Sequence, residues 1–261
     1  MIIAILLILG LCFGSFVNAF VWRLHEGRDW VSGRSECPNC HHQLGSKDLV
    51  PVFSWLWLRG KCRYCHKAIP DSPFVELIVP ALFVLSYAVW SSELRGVGLF
   101  QFILWLVFLV AFVALALYDL RWFILPDKLV FPLIGLAIVW VLGSWALGGS
   151  WHSVAGSFVG MAIILGLFLG LYQISAGKWI GFGDVKLAIV LGLLAGGAMQ
   201  ACLLLFFASF LGVIISTPLI IAGKASRKSK LPFGPLLLMG MVLVQLFGAN
   251  VISAYTRALG V

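Results

Sequence analysis

Long apolar runs alternate with short polar segments along most of this chain. A membrane-spanning helix needs about 20 mostly apolar residues, and eight runs approach or exceed that length. They cover residues 2–22, 74–90, 99–118, 129–147, 154–175, 185–199, 202–222 and 236–255, of which the sixth is short. The pattern predicts an all-α polytopic membrane protein with about eight transmembrane helices.

The composition supports this prediction. Of 261 residues, 62% are hydrophobic and only 11% are charged, and the mean hydropathy is +1.06. Soluble domains are nearer half apolar and a quarter charged, so an ordinary soluble globule, a disordered chain and an extracellular disulfide scaffold are all excluded. No basic residue precedes the first run and no small-residue cleavage site follows it, so we expect a retained helix rather than a signal peptide.

The basic residues are distributed unevenly among the polar segments. Sixteen of the 18 lysines and arginines fall in four segments that eight crossings would place on one side of the membrane, namely 23–73, 119–128, 176–186 and 223–235. The positive-inside rule assigns that side to the cytosol and both termini to the outside. Topology, not nucleic-acid binding, therefore accounts for the net charge of +8. One basic cluster predicts an anchor to anionic lipid: Lys224, Arg227, Lys228 and Lys230.

A polar insert between the first two runs contains two C-x2-C pairs. Cys37 and Cys40 form the first pair, and Cys62 and Cys65 form the second. Four such thiolates can complete a tetrahedral structural zinc site, whereas in an oxidising compartment they would form two disulfides. Because the charge distribution places the insert in the reducing cytosol, we predict a small zinc-knuckle insert whose metal stabilises the fold.

Two aspartates lie where the predicted helices meet the cytosolic border. Asp119 ends the third run, where the helix dipole disfavours a carboxylate, and Asp184 follows two glycines at the start of the sixth. Glu76 and Asp127, in contrast, begin runs and are explained by helix capping. Helix capping is also an alternative for Asp184. If Asp119 and Asp184 meet, they can share one proton as an aspartic protease does.

The order of these features resembles the bacterial type IV prepilin peptidases, which are membrane aspartic proteases of the GxGD type. The similarity covers nearly the whole chain, and a lone GxGD would be weak evidence. The matching motifs, in order, are GSFVN at 14–18, the paired cysteines with LVPVFSW at 49–55 and RGKC at 59–62, VEL at 75–77, DLR at 119–121 with LPD at 125–127, GFGDVKL at 181–187 and PFGP at 232–235.

The resemblance implies an activity, cofactors and a partner. Such enzymes cut the basic leader from prepilins or pseudopilins at the cytosolic face, and many then methylate the new N-terminal amine with S-adenosylmethionine. It implies Asp119 and Asp184 as the catalytic pair and the four knuckle cysteines as zinc ligands, but it identifies no residues for the methyl donor. The predicted domains are a first helix (1–22), the zinc insert (23–73) and a protease domain of seven helices (74–261) in the bacterial inner membrane.

Three alternatives remain from the residues alone. A presenilin-type intramembrane protease also pairs Tyr-Asp with GxGD, as Tyr118 and Asp119 do here, but it has a Pro-Ala-Leu motif and no cysteine insert. A proton-coupled transporter would use the two aspartates as a relay and would cleave nothing. A zinc-anchored scaffold would leave the position of Asp119 unexplained.

Overall fold

The computed structural model describes residues 1–29, 33–69, 73–223 and 232–259. Within these ranges the chain is helical apart from turns, loops and two isolated bridges. The α-helices, in chain order, are α1 (Ile2–His25), α2 (Phe53–Trp57), α3 (Phe74–Trp90), α4 (Val97–Trp122), α5 (Asp127–Ala146), α6 (Trp151–Ser175), α7 (Phe182–Ala195), α8 (Ala198–Ile221) and α9 (Phe233–Leu259).

All eight predicted apolar runs form helices, which confirms the fold class. Seven helices of the described residues are long and apolar enough to cross a membrane, and α7 is the exception. Its 14 residues extend about 21 Å, less than the roughly 30 Å of hydrocarbon in a bilayer. Nearly every α7 residue from Leu187 to Ala195 is buried, so other helices, not lipid, surround it.

The chain divides into two compact units. The first contains residues Met1–Ser92 and Trp105–Ala114. In it, α1 packs on α3 through two glycines four residues apart, since a Cβ on Gly10 would lie 2.4 Å from the Cα of Pro80 and one on Gly14 would lie 2.7 Å from the Cα of Glu76. Small residues at this spacing allow membrane helices to approach closely.

The second unit contains residues Glu93–Leu104 and Leu115–Val261. Within it α7 contacts α5, α6, α8 and α9. Gly160 on α6 and Gly192 on α7 allow the closest approach, because a Cβ on Gly192 would lie 2.3 Å from the Cα of Met161. The side-chain amide of Gln245 on α9 donates to the carbonyl of Leu194 at 2.7 Å, which satisfies a backbone acceptor near the end of α7.

Two predictions are not tested by this architecture. The basic cluster of Lys224, Arg227, Lys228 and Lys230 lies outside the described residues. The division into a first helix, a zinc insert and a protease domain remains a prediction, because the compact units describe packing and not separate functions.

Candidate active site and metal site

Asp119 lies in the last turn of α4. The helix ends at Trp122, and the C-cap residue Phe123 adopts a left-handed conformation and donates its N–H to the carbonyl of Asp119 at 2.8 Å. Pro126 follows three residues after this C-cap residue and cannot continue the helix. The carboxylate is almost completely buried, with 6% of the residue exposed, and it accepts a hydrogen bond from the backbone N–H of Gly234.

Asp184 is the third residue of α7. Its carboxylate accepts the backbone N–H of Gly181, the N-cap residue, which is one half of a capping box. Asp184 therefore does cap the start of α7. The preceding Gly183 allows the helix start to approach the loop after α4, since a Cβ there would lie 3.0 Å from the Cβ of Leu125.

One cavity unites the two aspartates. It has a volume of about 450 Å³, and its walls come from the end of α4, the following loop, the start of α5 and the start of α7. Both Asp119 and Asp184 line it, and their carboxylates are close enough to interact electrostatically. The structure thus brings together two acidic side chains that are far apart in the sequence.

The same cavity contains an ion pair that the sequence did not reveal. The ammonium of Lys186 donates to the carboxylate of Asp127 and lies within 5.6 Å of the ring centres of Phe131 and Phe182. Asp127 is the first residue of α5 and makes no capping hydrogen bond. The capping interpretation of Asp127 is replaced by this pairing across the cavity.

The four knuckle cysteines converge in the first unit. Their sulfur atoms all lie within 4.8 Å of one another, and Sγ of Cys37 is 3.9 Å from Sγ of Cys65. A tetrahedral zinc with bonds of about 2.3 Å separates its sulfurs by about 3.8 Å. All four are free thiols, which argues against the disulfide alternative. The cluster is spaced to hold a metal ion.

The two knuckles share one backbone conformation. In each, the first cysteine exchanges backbone hydrogen bonds with the residues four and five positions later, and the histidine after the second cysteine is left-handed: His41 with φ 55° and His66 with φ 58°. Both histidines are exposed and lie outside the cluster of ligand atoms. The repeated turn directs two sulfurs from each knuckle toward one point.

The electrostatics of the cluster favour a bound cation. Burial raises the pKa of the Cys37 thiol, but the backbone N–H groups of Asn39 and Cys40 outweigh it and lower that pKa to about 7. The backbone N–H of His42 lowers the pKa of Cys40, whereas burial and the neighbouring thiols raise it to about 11. Four thiols in so small a volume cannot all ionise unless a cation compensates their charge.

Asp48 connects the segment between the knuckles to the second knuckle. Its carboxylate accepts hydrogen bonds from Arg63 Nε at 2.6 Å, the N–H of Gly45 at 3.1 Å and the Tyr64 hydroxyl at 3.3 Å. Burial raises the pKa of Asp48, but these donors outweigh it and hold the pKa below its ordinary value. The insert is therefore held together by a buried carboxylate as well as by the cysteines.

Comparison with known proteins settles the family. Residues 8–90 match the Bacterial Peptidase A24 N-terminal domain, and residues 106–217 match the Type IV leader peptidase family. A protein of Stutzerimonas stutzeri named prepilin leader peptidase/N-methyltransferase is 30% identical over 96% of this chain and 92% of its own length. This chain belongs to the type IV leader peptidase family.

Other relatives carry the same name. One from Bacillus subtilis is 29% identical over 99% of this chain and all of its own length, and one from Aeromonas hydrophila is 32% identical over 85% of this chain and 74% of its own. No solved structure matches the chain. This leader peptidase is a multi-pass inner-membrane enzyme. Asp119 and Asp184 lie in the region matched by the peptidase family, and the cysteines lie in the region matched by the N-terminal domain.

Proposed function

We propose that this leader peptidase cleaves the basic leader from prepilins or pseudopilins with Asp119 and Asp184 as its catalytic pair. The observation that carries the proposal is the single cavity lined by both carboxylates. The family predicts a peptidase, and an aspartic peptidase needs two carboxyl groups that share one substrate site. Asp127 also lines this cavity, but its carboxylate is paired with the ammonium of Lys186, which leaves Asp119 and Asp184 as the proposed pair.

The two carboxyl groups have different roles in peptide cleavage. The ionised member takes a proton from water, which attacks the scissile carbonyl carbon, while the protonated member donates to the carbonyl oxygen. Collapse of the tetrahedral species breaks the C–N bond, and the proton gained from water passes to the leaving amine. The N–H groups of Gly234 and Gly181 hold Asp119 and Asp184 in position for these transfers.

The cavity wall suits a substrate that is apolar beyond the cleaved bond. Three of its side chains are large, hydrophobic and more than half exposed: Phe123, Ile124 and Phe182. A prepilin presents a hydrophobic segment directly after its leader, and these side chains offer an apolar surface for it. We infer that the basic leader remains at the cytosolic face, the side that the positive-inside rule assigns to the segments around both aspartates.

The second proposed activity is methylation of the new N-terminal amine with S-adenosylmethionine, as the name of the relatives says of them. We also propose that the four cysteines hold a structural zinc ion. A closed shell of four thiolates leaves no position for substrate, so the metal stabilises the insert and takes no part in cleavage.

One assay tests both activities. Purified full-length protein in detergent is mixed with a prepilin-like peptide that spans leader and apolar segment, with and without S-adenosylmethionine, and the products are weighed by mass spectrometry. We expect cleavage at the leader junction in both mixtures and an additional methyl mass on the mature fragment only with S-adenosylmethionine. Cleavage within the apolar segment would favour a presenilin-type protease, and intact peptide together with proton-coupled transport in vesicles would favour a transporter.

A further inference from the structure

The segment between the two knuckles carries an apolar face that the described residues leave largely exposed. Phe53, Leu56 and Trp57 of α2 are 69%, 58% and 85% exposed. Their spacing of three and four residues puts them on one side of the helix. On the long helices such side chains would meet lipid, but α2 has five residues and belongs to the polar insert. An exposed apolar cluster on a polar insert indicates an interaction surface.

The opposite face of α2 is held against the second knuckle. The ring of Trp55 lies over Gly60, since a Cβ on that glycine would lie 2.9 Å from a ring carbon. The N–H of Gly60 donates to the carbonyl of Trp55 at 2.9 Å, and Gly60 lies two residues before Cys62. Because Trp55 holds this side of α2 against the insert, the side with Phe53 and Trp57 faces away from it.

A hydrogen bond holds the start of α2 beside a membrane helix. Glu76 was expected to cap α3, but its carboxylate instead accepts the N–H of Val52 at 2.6 Å. Glu76 is the third residue of α3, which is long and apolar enough to span a membrane. Val52 is the N-cap residue of α2, and this contact stabilises its left-handed φ of 63°. The apolar face of α2 therefore begins next to the predicted border of the bilayer.

The charge of the same segment complements an anionic surface. Residues 46–69 contain five basic side chains and one acidic one, which gives a formal charge of +4. The acidic residue, Asp48, is paired with Arg63. The other four basic side chains are exposed and form no ion pair within the described ranges: Lys47, Arg59, Lys61 and Lys67. The cytosolic leaflet, on the side that the positive-inside rule assigns to this insert, has a negative surface potential.

We propose that α2 docks the insert on the cytosolic leaflet of the membrane. Phe53, Leu56 and Trp57 enter the boundary between headgroups and acyl chains, where aromatic side chains concentrate. The exposed basic side chains of the same segment contact anionic headgroups. This docking keeps the four-cysteine cluster at the membrane border beside α1 and α3. It does not rest on cleavage or methylation.

The size of the apolar face favours lipid over a protein partner. Three side chains of this kind bury at most about 600 Å², whereas each partner in a stable protein complex buries roughly 800 Å². A lipid surface needs no shape complementarity, and each apolar side chain and each nearby basic residue adds to the binding. The position of α2 beside the first turn of α3 also brings the face within reach of lipid without any rearrangement.

Photocrosslinking identifies what covers the face. The photoreactive p-benzoylphenylalanine replaces Phe53 or Trp57 in zinc-loaded full-length protein, in vesicles of phosphatidylethanolamine and phosphatidylglycerol in equal amounts, with and without a prepilin-like peptide. Ser46, an exposed polar residue of the same segment, is the control position. After irradiation and digestion, mass spectrometry should find one phospholipid on the peptide that carries either aromatic position. We expect these adducts to be about tenfold more abundant than those at Ser46, because burial of an apolar side chain favours the lipid-contacting state by at least that factor.

A second measurement tests the role of charge. Adducts at Phe53 should contain phosphatidylglycerol about fivefold more often than phosphatidylethanolamine, because one nearby basic residue attracts an anionic lipid by about that factor. The double variant Lys61→Gln with Lys67→Gln should lose most of this preference. Lys178→Gln, which changes an exposed lysine of the second unit, is the control and should keep it.

The outcomes separate lipid from the other occupants of this face. Phospholipid adducts at Phe53 and Trp57, with the preference for phosphatidylglycerol, support the proposal. Crosslinks to a second copy of the chain, crosslinks to the prepilin-like peptide, equal lipid adducts at Ser46, no adduct at either aromatic position, or no preference for the anionic lipid would overturn it. A zinc content equal to that of the wild type shows that each variant is folded, and if one aromatic position fails this check the other decides.

Discussion

A glycine backbone lies directly against the carboxylate of Asp119. A Cβ on Gly234 would lie 2.6 Å from Oδ2 of Asp119 and 3.5 Å from a methyl group of Leu125, and the N–H of the same glycine donates to that carboxylate. Gly234 belongs to the PFGP motif at 232–235, and its neighbour Pro235 is buried at the start of α9. The motif thus supplies a close backbone contact for one of the two proposed catalytic groups.

Gly234→Ala is therefore expected to displace Asp119. A misplacement of about 1 Å costs roughly 100-fold in rate, so we expect peptide cleavage to fall by about that factor while zinc content stays unchanged. Gly166→Ala is the control, because a Cβ on Gly166 of α6 meets nothing within 4 Å. Cleavage by Gly234→Ala at the wild-type rate would show that this contact does not position Asp119.

At the scale of residues, a candidate catalytic side chain was easier to predict than a contact between two side chains distant in sequence. Asp119 was identified because a carboxylate at a helix C-terminus opposes the local dipole, which is visible in the sequence alone. The contact of Gly234 with Asp119 and the ion pair of Lys186 with Asp127 were not predictable, because each joins residues that only the tertiary fold brings together. Nothing local in the sequence specifies such a partner.

At the scale of elements, the insert depends on Asp48 as well as on its cysteines. Because its side chain is buried and bonded to Arg63, Gly45 and Tyr64, we expect Asp48→Asn to destabilise the insert by about 1–3 kcal/mol. Zinc should then be released to a chromogenic chelator at a lower urea concentration than from the wild type. Glu26→Gln, which alters an exposed ion pair, is the control and should release zinc normally.

The contribution of Asp48 to the stability of the insert should also depend on pH, and its direction can be stated. Its pKa in the folded protein lies below the ordinary value, so the stabilisation is complete above the unfolded pKa of about 3.9 and is lost as the pH falls through the lower folded value. The wild-type protein and Asp48→Asn should therefore release zinc at different urea concentrations at pH 7. Release at the same urea concentration would contradict this role of Asp48.

Helix existence was predictable, and the bounds predicted for α3 are confirmed, but the ends predicted for α7 are wrong. The run predicted over residues 185–199 forms α7 over Phe182–Ala195, three residues earlier at its start and four earlier at its end. Hydropathy does not detect the start, because Phe182 to Asp184 enter the helix through the cap at Gly181. The end follows from Gly196, whose left-handed φ of 79° terminates the helix before the apolar composition changes.

At the scale of the whole molecule, the topology makes a prediction of its own. Eight crossings with basic segments inside place Glu93 outside the cell and Lys178 in the cytosol, and both residues are exposed. In a background without Cys12 and Cys202, Glu93→Cys should react with a membrane-impermeant maleimide on intact cells, and Lys178→Cys should react only after the membrane is opened. The reverse labelling pattern would show that the protein has the opposite orientation in the membrane.

Features that depend on the packing of the whole molecule could not be predicted from the sequence. The family resemblance implied S-adenosylmethionine without any residue to bind it, because no local motif in the sequence marks such a site. Asn18 on α1 and Trp55 on α2 line one cavity only because α1, the insert and α3 pack together. The paired cysteines, in contrast, have a spacing that is itself the signature of their site, and they converge as predicted.

The most direct test of the central claim is the cleavage rate of Asp119→Asn and Asp184→Asn, each measured with the prepilin-like peptide by mass spectrometry beside the exposed control Glu93→Gln. Asparagine keeps the size of the side chain but can neither take a proton from water nor give one to the substrate. The two-carboxyl mechanism predicts that each aspartate variant loses at least 1,000-fold, roughly the scale of lost acid–base catalysis, while Glu93→Gln cleaves normally. Substantial cleavage by either aspartate variant would contradict it.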